Sequence, residues 1–211
     1  MAQYGKASYW DERYTKDPEP FDWYQRYTGV KDLIAQYVKK EDNILNVGAG
    51  NSRLTEDMYE DGYQAISNID ISKVCIDSMA EKYKDKTGLT WQYMNCMQLD
   101  FPDENFDVVM DKGTIDSILC GEGSTANSAK MMNEISRTLK PMGVYFCISY
   151  GVPENRLSYL ENEEYKWKVT VHTVPKPTVS AAAAPEAKEG SNMHYIYVCQ
   201  KGVDQGRRAK D

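Results

Sequence analysis

The spacing of apolar positions changes several times along this chain, and each change marks an element. Val30, Leu33, Ile34, Tyr37 and Val38 recur at i, i+3, i+4, i+7 and i+8, which puts them on one face of a helix. Thr28 stands where an N-cap is expected. An apolar run at 44–47 follows and leads into Gly48-Ala49-Gly50-Asn51-Ser52. That reads as a strand, a tight glycine turn and the start of a helix carrying Leu54 and Met58, which Gly62 ends. A second strand is predicted at 65–69, closing on Asp70. Ser72 is placed to cap a helix whose inner face is Ile76, Met79, Ala80 and Tyr83. Further strands are predicted at 90–94, 106–110 and 144–150, the middle one entered from the turn Pro102-Asp103-Glu104-Asn105. A helical pattern with Met131, Met132, Ile135 and Leu139 stops at Pro141, and Gly143 turns the chain into the fifth strand.

Short apolar strands alternating with helices predict an α/β fold, a doubly wound and mostly parallel sheet. The end of the chain differs. Segments 165–174 and 193–200 both read as strands with no strong helix between them, so an antiparallel pair at the sheet edge brings the total to seven strands. The stretch between them, 175–191, with its prolines and four alanines at 181–184, reads as a low-complexity loop. The charged residues 202–211 are expected to fray. Residues 1–27 hold Tyr9, Trp10, Asp11, Glu12, Arg13, Tyr14, Phe21, Asp22, Trp23 and Tyr24. Disordered tails are poor in aromatics, so these residues predict an arm docked on a domain spanning 28–201.

At 211 residues the chain is the size of one domain. Its 25 Lys and Arg against 32 Asp and Glu leave a net charge of −7, which disfavours non-specific nucleic-acid binding. No stretch approaches the roughly 18 apolar residues of a membrane span, and residues 1–10 show no signal-peptide core. Cys75, Cys96, Cys120, Cys147 and Cys199 form an odd, scattered set, expected to be free buried thiols in a reducing, cytoplasmic setting. With only His172 and His194 as imidazoles, no metal site is expected. Without a spare apolar helix, a monomer is expected.

The strongest chemical signal is Gly48-Ala49-Gly50 between a strand and a helix, where glycines let backbone approach a ligand. Asp70 lies twenty residues beyond Gly50 at the end of the second strand, where a carboxylate can accept the ribose hydroxyls of a nucleoside; a turn or helix-cap role is the alternative. Dinucleotide sites carry a third glycine beside the pyrophosphate. Here that position is Arg53, which argues against a nicotinamide dehydrogenase and for a nucleoside cofactor without pyrophosphate, such as S-adenosylmethionine.

The chain resembles the class I S-adenosylmethionine-dependent methyltransferases, and among them the eukaryotic lysine methyltransferases of translation elongation factor 1-alpha. The resemblance rests on Tyr-Trp-Asp-Glu-Arg-Tyr at 9–14, Phe-Asp-Trp at 21–23, Val-Gly-Ala-Gly-Asn-Ser at 47–52, Leu-Asp-Phe-Pro at 99–102 and Phe-Asp-Val-Val-Met-Asp-Lys-Gly-Thr-Ile-Asp at 106–116. It implies that Trp10, Tyr14 and Trp23 close over the cofactor, that the turn at Gly48 and Gly50 meets its methionine part, and that Asp70 and Ile71 hold the ribose and adenine side. It places Lys112 against the cofactor, its ammonium pairing with the carboxylate; a structural ion pair with Asp111 or Asp116 is the alternative. Asn95, followed by Cys96, stands where the family usually has an adenine-binding Asp; its carbonyl remains an acceptor.

The implied reaction is methyl transfer to a lysine of a protein such as elongation factor 1-alpha, leaving S-adenosylhomocysteine. Asp116 and Asp111 flank the end of the fourth strand, where sheets of this type place ligands, and are the candidate bases; Tyr150 at the end of the fifth is a candidate wall. A small-molecule methyltransferase and a non-catalytic cofactor-binding scaffold are the competing readings.

Overall fold

The structure is a computed structural model that describes residues 3–177 and 192–202. Its centre is a seven-stranded sheet built from β1 (Asn43–Val47), β2 (Ala65–Asp70), β3 (Leu89–Tyr93), β4 (Phe106–Lys112), β5 (Leu139–Ser149), β6 (Trp167–Pro175) and β7 (Met193–Lys201). The helices are α1 (Ala7–Lys16), α2 (Tyr27–Tyr37), α3 (Leu54–Glu60), α4 (Lys73–Lys82), α5 (Thr114–Leu119), α6 (Ser124–Thr138) and α7 (Pro153–Leu160). The strand order is β3-β2-β1-β4-β5-β7-β6. The first five strands run parallel, and β7 lies antiparallel between β5 and β6. The predicted doubly wound, mostly parallel sheet with an antiparallel C-terminal pair is therefore the observed fold.

The inner strands β1, β2, β4, β5 and β7 are mostly buried on both faces, and their period of two divides the core in halves. Ile44, Val108, Met110, Phe146, Ile148, Ile196 and Val198 face one layer with Val30, Ile34, Met58 and Met79. Leu45, Val47, Val109, Tyr145, Cys147, Tyr197 and Cys199 face the other with Ile115, Met131, Met132, Ile135 and Leu160. β1 pairs with β2 on one side and β4 on the other, so the chain reverses its winding there and a crevice opens beyond the strands' C-terminal ends.

Several local expectations are corrected. α2 begins at Tyr27 after Arg26, with no side-chain cap, so Thr28 lies inside it. β5 begins at Leu139 rather than beyond Gly143: Leu139 pairs with Phe106, and the register shifts before Val144 meets Val108. Pro141 and Met142, the latter at φ +66°, fall in that irregular stretch, which is where a strand tolerates proline. Ser72 caps α4 as expected, its Oγ accepting from Cys75 N at 3.2 Å. The docked arm contains a helix, α1, that the aromatic pattern did not disclose. All five cysteines are free and four are buried, but Cys120 is exposed. The alanines at 181–184 and residues 203–211 lie outside the described residues, so the loop and frayed-tail readings concern segments without a described structure.

Candidate active site

A cavity of about 560 Å³ occupies the crevice, a size suited to a nucleoside-containing ligand. Gly48 and Gly50 line it with φ of +62° and +56°, values L side chains rarely adopt. A Cβ at Gly48 would collide with the Thr114 side chain, and one at Gly50 would lie 2.7 Å from the Tyr14 hydroxyl. The turn is thus packed against α5 on one side and the arm on the other.

Asp70 closes β2 beneath this turn. Its Oδ2 accepts from Gly50 N at 2.9 Å and its Oδ1 from Ser72 N at 2.9 Å. Burial pushes its carboxyl up to about 6, although the backbone donors pull the other way. Ile71, Asn95 and Cys96 line the cavity beside it. The Asn95 carbonyl already accepts from Met97 N at 2.9 Å, so one of its two lone pairs is in use.

Trp10, Tyr14 and Trp23 stand across the cavity as the arm's aromatic wall. Trp10 stacks on Tyr14 at 5.9 Å and meets Trp23 edge-on at 6.4 Å. Its indole nitrogen donates to Tyr4 O at 2.8 Å. Asp11 ties α1 to the body by accepting from Ser72 Oγ at 2.6 Å, and Asn51 ties the next segment by donating to Glu19 O at 2.8 Å.

Lys112 extends from the end of β4 to the arm. Its Nζ pairs with Asp22 Oδ1 at 2.6 Å and donates to Gln25 O at 3.0 Å. Asp22 also accepts from the Ser52 hydroxyl beside the glycine turn. Burial holds the Lys112 ammonium below its usual range, with Asp22 opposing that effect. The partner is therefore Asp22, not Asp111 or Asp116.

The two candidate bases occupy different places. Asp111 is buried behind the cavity wall and is not among its lining residues. It accepts from Thr114 N at 2.7 Å, Ile115 N at 3.2 Å and Tyr145 Oη at 2.6 Å, so it holds the first turn of α5 onto the sheet. Burial raises its carboxyl to about 7, against those donors. Asp116 does line the cavity, but its Oδ1 accepts from Ser149 Oγ at 2.6 Å and from Arg156 Nε and Nη2 at 3.1 and 2.9 Å. Its Oδ2 accepts from Tyr150 N at 3.2 Å, and burial, together with this carboxylate, pushes the Tyr24 hydroxyl's pKa up. Tyr150 reaches the cavity as a wall.

Sequence reasoning about roles missed Asp11, Asp22, Tyr24 and Arg156. The first three lie in or beside the aromatic runs that define the arm, so the signal was present as motif but not as contact. Arg156 stands forty residues from its partner Asp116, and no local pattern announces it.

A family model described as a methyltransferase domain matches residues 45–147. EEF1A lysine methyltransferase 4 of Mus musculus is 31% identical over 177 residues, covering 79% of this chain and 69% of that protein. The eEF1A lysine and N-terminal methyltransferase of Mus musculus is 34% identical over 179 residues, covering 82% of this chain but 25% of that protein, so the chain spans about a quarter of its length. Among solved structures, a SAM-dependent methyltransferase of Methanosarcina mazei superposes with a TM-score of 0.62 at 15% identity, over 87% of this chain and all of that one. The [4+2]-cyclase SpnF gives the same TM-score of 0.62 at 16% identity, over 82% and 81% of the two chains, so the fold alone does not fix the chemistry. The sequence relationship does what the fold cannot: this chain belongs to the class I S-adenosylmethionine-dependent methyltransferases, in the family of EEF1A lysine methyltransferase 4.

Proposed function

We propose that this protein methylates a lysine side chain of translation elongation factor 1-alpha, using S-adenosylmethionine and leaving S-adenosylhomocysteine. The observation that carries the reading is a crevice with two chemically different ends beside relatives whose names share that one protein substrate. The residues present fit the cofactor. A glycine turn where a Cβ would clash and the backbone is left-handed borders a buried carboxylate at the end of β2. Asp70 is the acceptor for ribose hydroxyls, with Ile71, Asn95 and Cys96 on the adenine side. Lys112, which lines the cavity, supplies a positive charge for the carboxylate of an amino-acid head group, and Asp22 holds it in place. Trp10, Tyr14 and Trp23 exclude water from that end.

When bound, S-adenosylmethionine supplies an activated methyl group on a sulfonium sulfur. The chain's own contribution is to position the acceptor and to hold it as a free amine, since orientation is worth much of such a rate. Desolvation in the crevice lowers the pKa of an amine brought into it, because burial disfavours its charged form. The −7 net charge suits a basic protein surface, in a cytoplasmic monomer acting on protein rather than nucleic acid.

The test is transfer of labelled methyl from S-adenosylmethionine to purified elongation factor 1-alpha, with Asp70→Ala as the inactive control and the site mapped by mass spectrometry. Label on a single lysine, lost in the control, is the expected result. Cofactor binding without label on the factor would overturn the substrate and shift the reading to a small-molecule acceptor or a non-catalytic scaffold.

A further inference from the structure

The crevice is divided by β1. Its β2 and β3 side, with Gly48, Asp70, Ile71 and Asn95, has the chemistry of a nucleoside site. Its β4 and β5 side has another character, with Tyr24, Asp116 and Tyr150 lining the same cavity. We propose that Tyr24 and Tyr150 form a receptor for the alkyl-ammonium group of the methyl acceptor, with Asp116 and Arg156 fixing Tyr150 and a tight turn against Gly113 fixing Tyr24. This deepens the lysine reading and rests on the acceptor being an amine.

Tyr24 is held there by unusual backbone. Its φ is +62°, and Gln25 N donates to Trp23 O at 2.7 Å across it, so it is the centre of a strained three-residue turn. Strain of this kind persists only where the surroundings over-determine it, and it concentrates at working sites. The ring lies against Gly113, where a Cβ would come within 3.1 Å of its edge. Burial and the nearby Asp116 carboxylate push its hydroxyl's pKa up, so the ring stays neutral. The Tyr150 ring stands 5.9 Å from it, and the Arg156 guanidinium lies 5.1 Å from the Tyr150 centroid.

The charge balance at this end decides what it recognises. Arg156 and Asp116 neutralise each other at 2.9 Å, and Asp116 also accepts from Ser149 Oγ and Tyr150 N. A free carboxylate here would hold the acceptor amine protonated by one to three pKa units, which would oppose its use as a nucleophile. Aromatic faces attract the cation more weakly and therefore select an ammonium without trapping it in the unreactive form. Tyr150 is 50% exposed, so an acceptor side chain can reach it from solvent.

The experiment compares two ligands by calorimetry. Both carry the S-adenosylhomocysteine skeleton with nitrogen in place of sulfur. One bears a four-carbon chain ending in an ammonium, the other a neutral chain of equal length. Wild-type protein is expected to prefer the ammonium ligand by about five- to tenfold. Tyr150→Leu is expected to reduce that preference below twofold and Tyr150→Phe to keep it, with affinity for the neutral ligand unchanged in both. Tyr24→Leu should act like Tyr150→Leu. Equal binding of the two ligands by the wild type, or an undiminished preference in Tyr150→Leu, overturns the proposal. The readout does not involve the protein substrate. An intact ammonium preference with no label on elongation factor 1-alpha would count against that substrate alone, and label on the factor without the preference would count against this receptor alone.

Discussion

Asp22 and Lys112, ninety residues apart in sequence, form an ion pair at 2.6 Å with side chains only 11% and 5% exposed. The pair joins the arm to the end of β4, and the Ser52 hydroxyl on the same carboxylate adds the glycine turn. Removing one partner of a buried pair leaves an uncompensated charge and typically costs about 3–5 kcal/mol, whereas removing both costs less. Asp22→Ala and Lys112→Met should therefore each destabilise the protein, and the double variant should fall short of their sum by about 1–3 kcal/mol. Urea unfolding of the four proteins measures this; additive effects would show that the two residues act separately. The same variants test the head-group role. Lys112→Met should weaken S-adenosylhomocysteine about tenfold but 5′-methylthioadenosine, which lacks the amino-acid head, less than twofold.

Asp70 gives two pH trends of opposite sign. Its carboxyl stands at about 6 and that of Asp111 at about 7, both above the unfolded range near 4. A raised carboxyl binds its proton more tightly in the folded state, so its stabilising contribution is full below the unfolded value and is lost as pH rises through the folded one. The ligand-free protein should therefore gain stability, by about 2–3 kcal/mol from Asp70 alone, as pH falls from 8 towards 4. Affinity for S-adenosylhomocysteine should move the other way, because the ionised form is the acceptor: about tenfold weaker at pH 5 than at pH 7.5. Thermal unfolding and calorimetry across this range check both slopes, and parallel slopes would remove Asp70 from the binding role.

Gly50 offers a test in which a second change restores space but not backbone freedom. A Cβ there would meet the Tyr14 hydroxyl at 2.7 Å but the ring carbon bearing it at 3.7 Å, which is ordinary contact. Gly50→Ala should lose stability from both the clash and the left-handed φ of +56°. Adding Tyr14→Phe should recover the clash and leave about 1–2 kcal/mol, the cost of the backbone conformation. Thermal denaturation of the single and double variants separates the two terms. No recovery in the double variant would place the constraint wholly in the turn.

What could be read from the sequence followed from local pattern. The strand ending at Asp70, the glycine turn twenty residues before it and the capping Ser72 are all determined by residues close to them in the chain. The elements misplaced were those whose bounds depend on a distant partner. β5 starts at Leu139 because Phe106 pairs with it, and nothing near Pro141 signals that. α5 begins after Gly113, at φ +84°, and its first turn is held by Asp111, so its helicity is a tertiary effect in a segment of only six residues. The site shows the same division. Asp70 and Lys112 could be singled out by position, but the partner of Lys112 and the ring of donors around Asp116 exist only once the arm and α7 have packed.

That ring of donors decides between the two candidate bases. A base needs a lone pair aimed at the proton it removes. Asp111 faces α5 and Tyr145, away from the cavity, so Asp111→Asn should act through stability. The Asn amide would meet donors from the backbone and Tyr145, at a cost of about 1–3 kcal/mol, while turnover of the folded fraction stays within about twofold. Asp116 reaches the cavity but is committed to Arg156, Ser149 and Tyr150. Asp116→Asn should therefore raise KM for the acceptor more than it lowers kcat, because it loosens Tyr150 rather than removing a proton acceptor. The pH–rate profile distinguishes the two roles. A positioning residue leaves the rising limb where it is, set by the acceptor amine, whereas loss of a true base would abolish that limb and lower kcat by about a hundredfold or more.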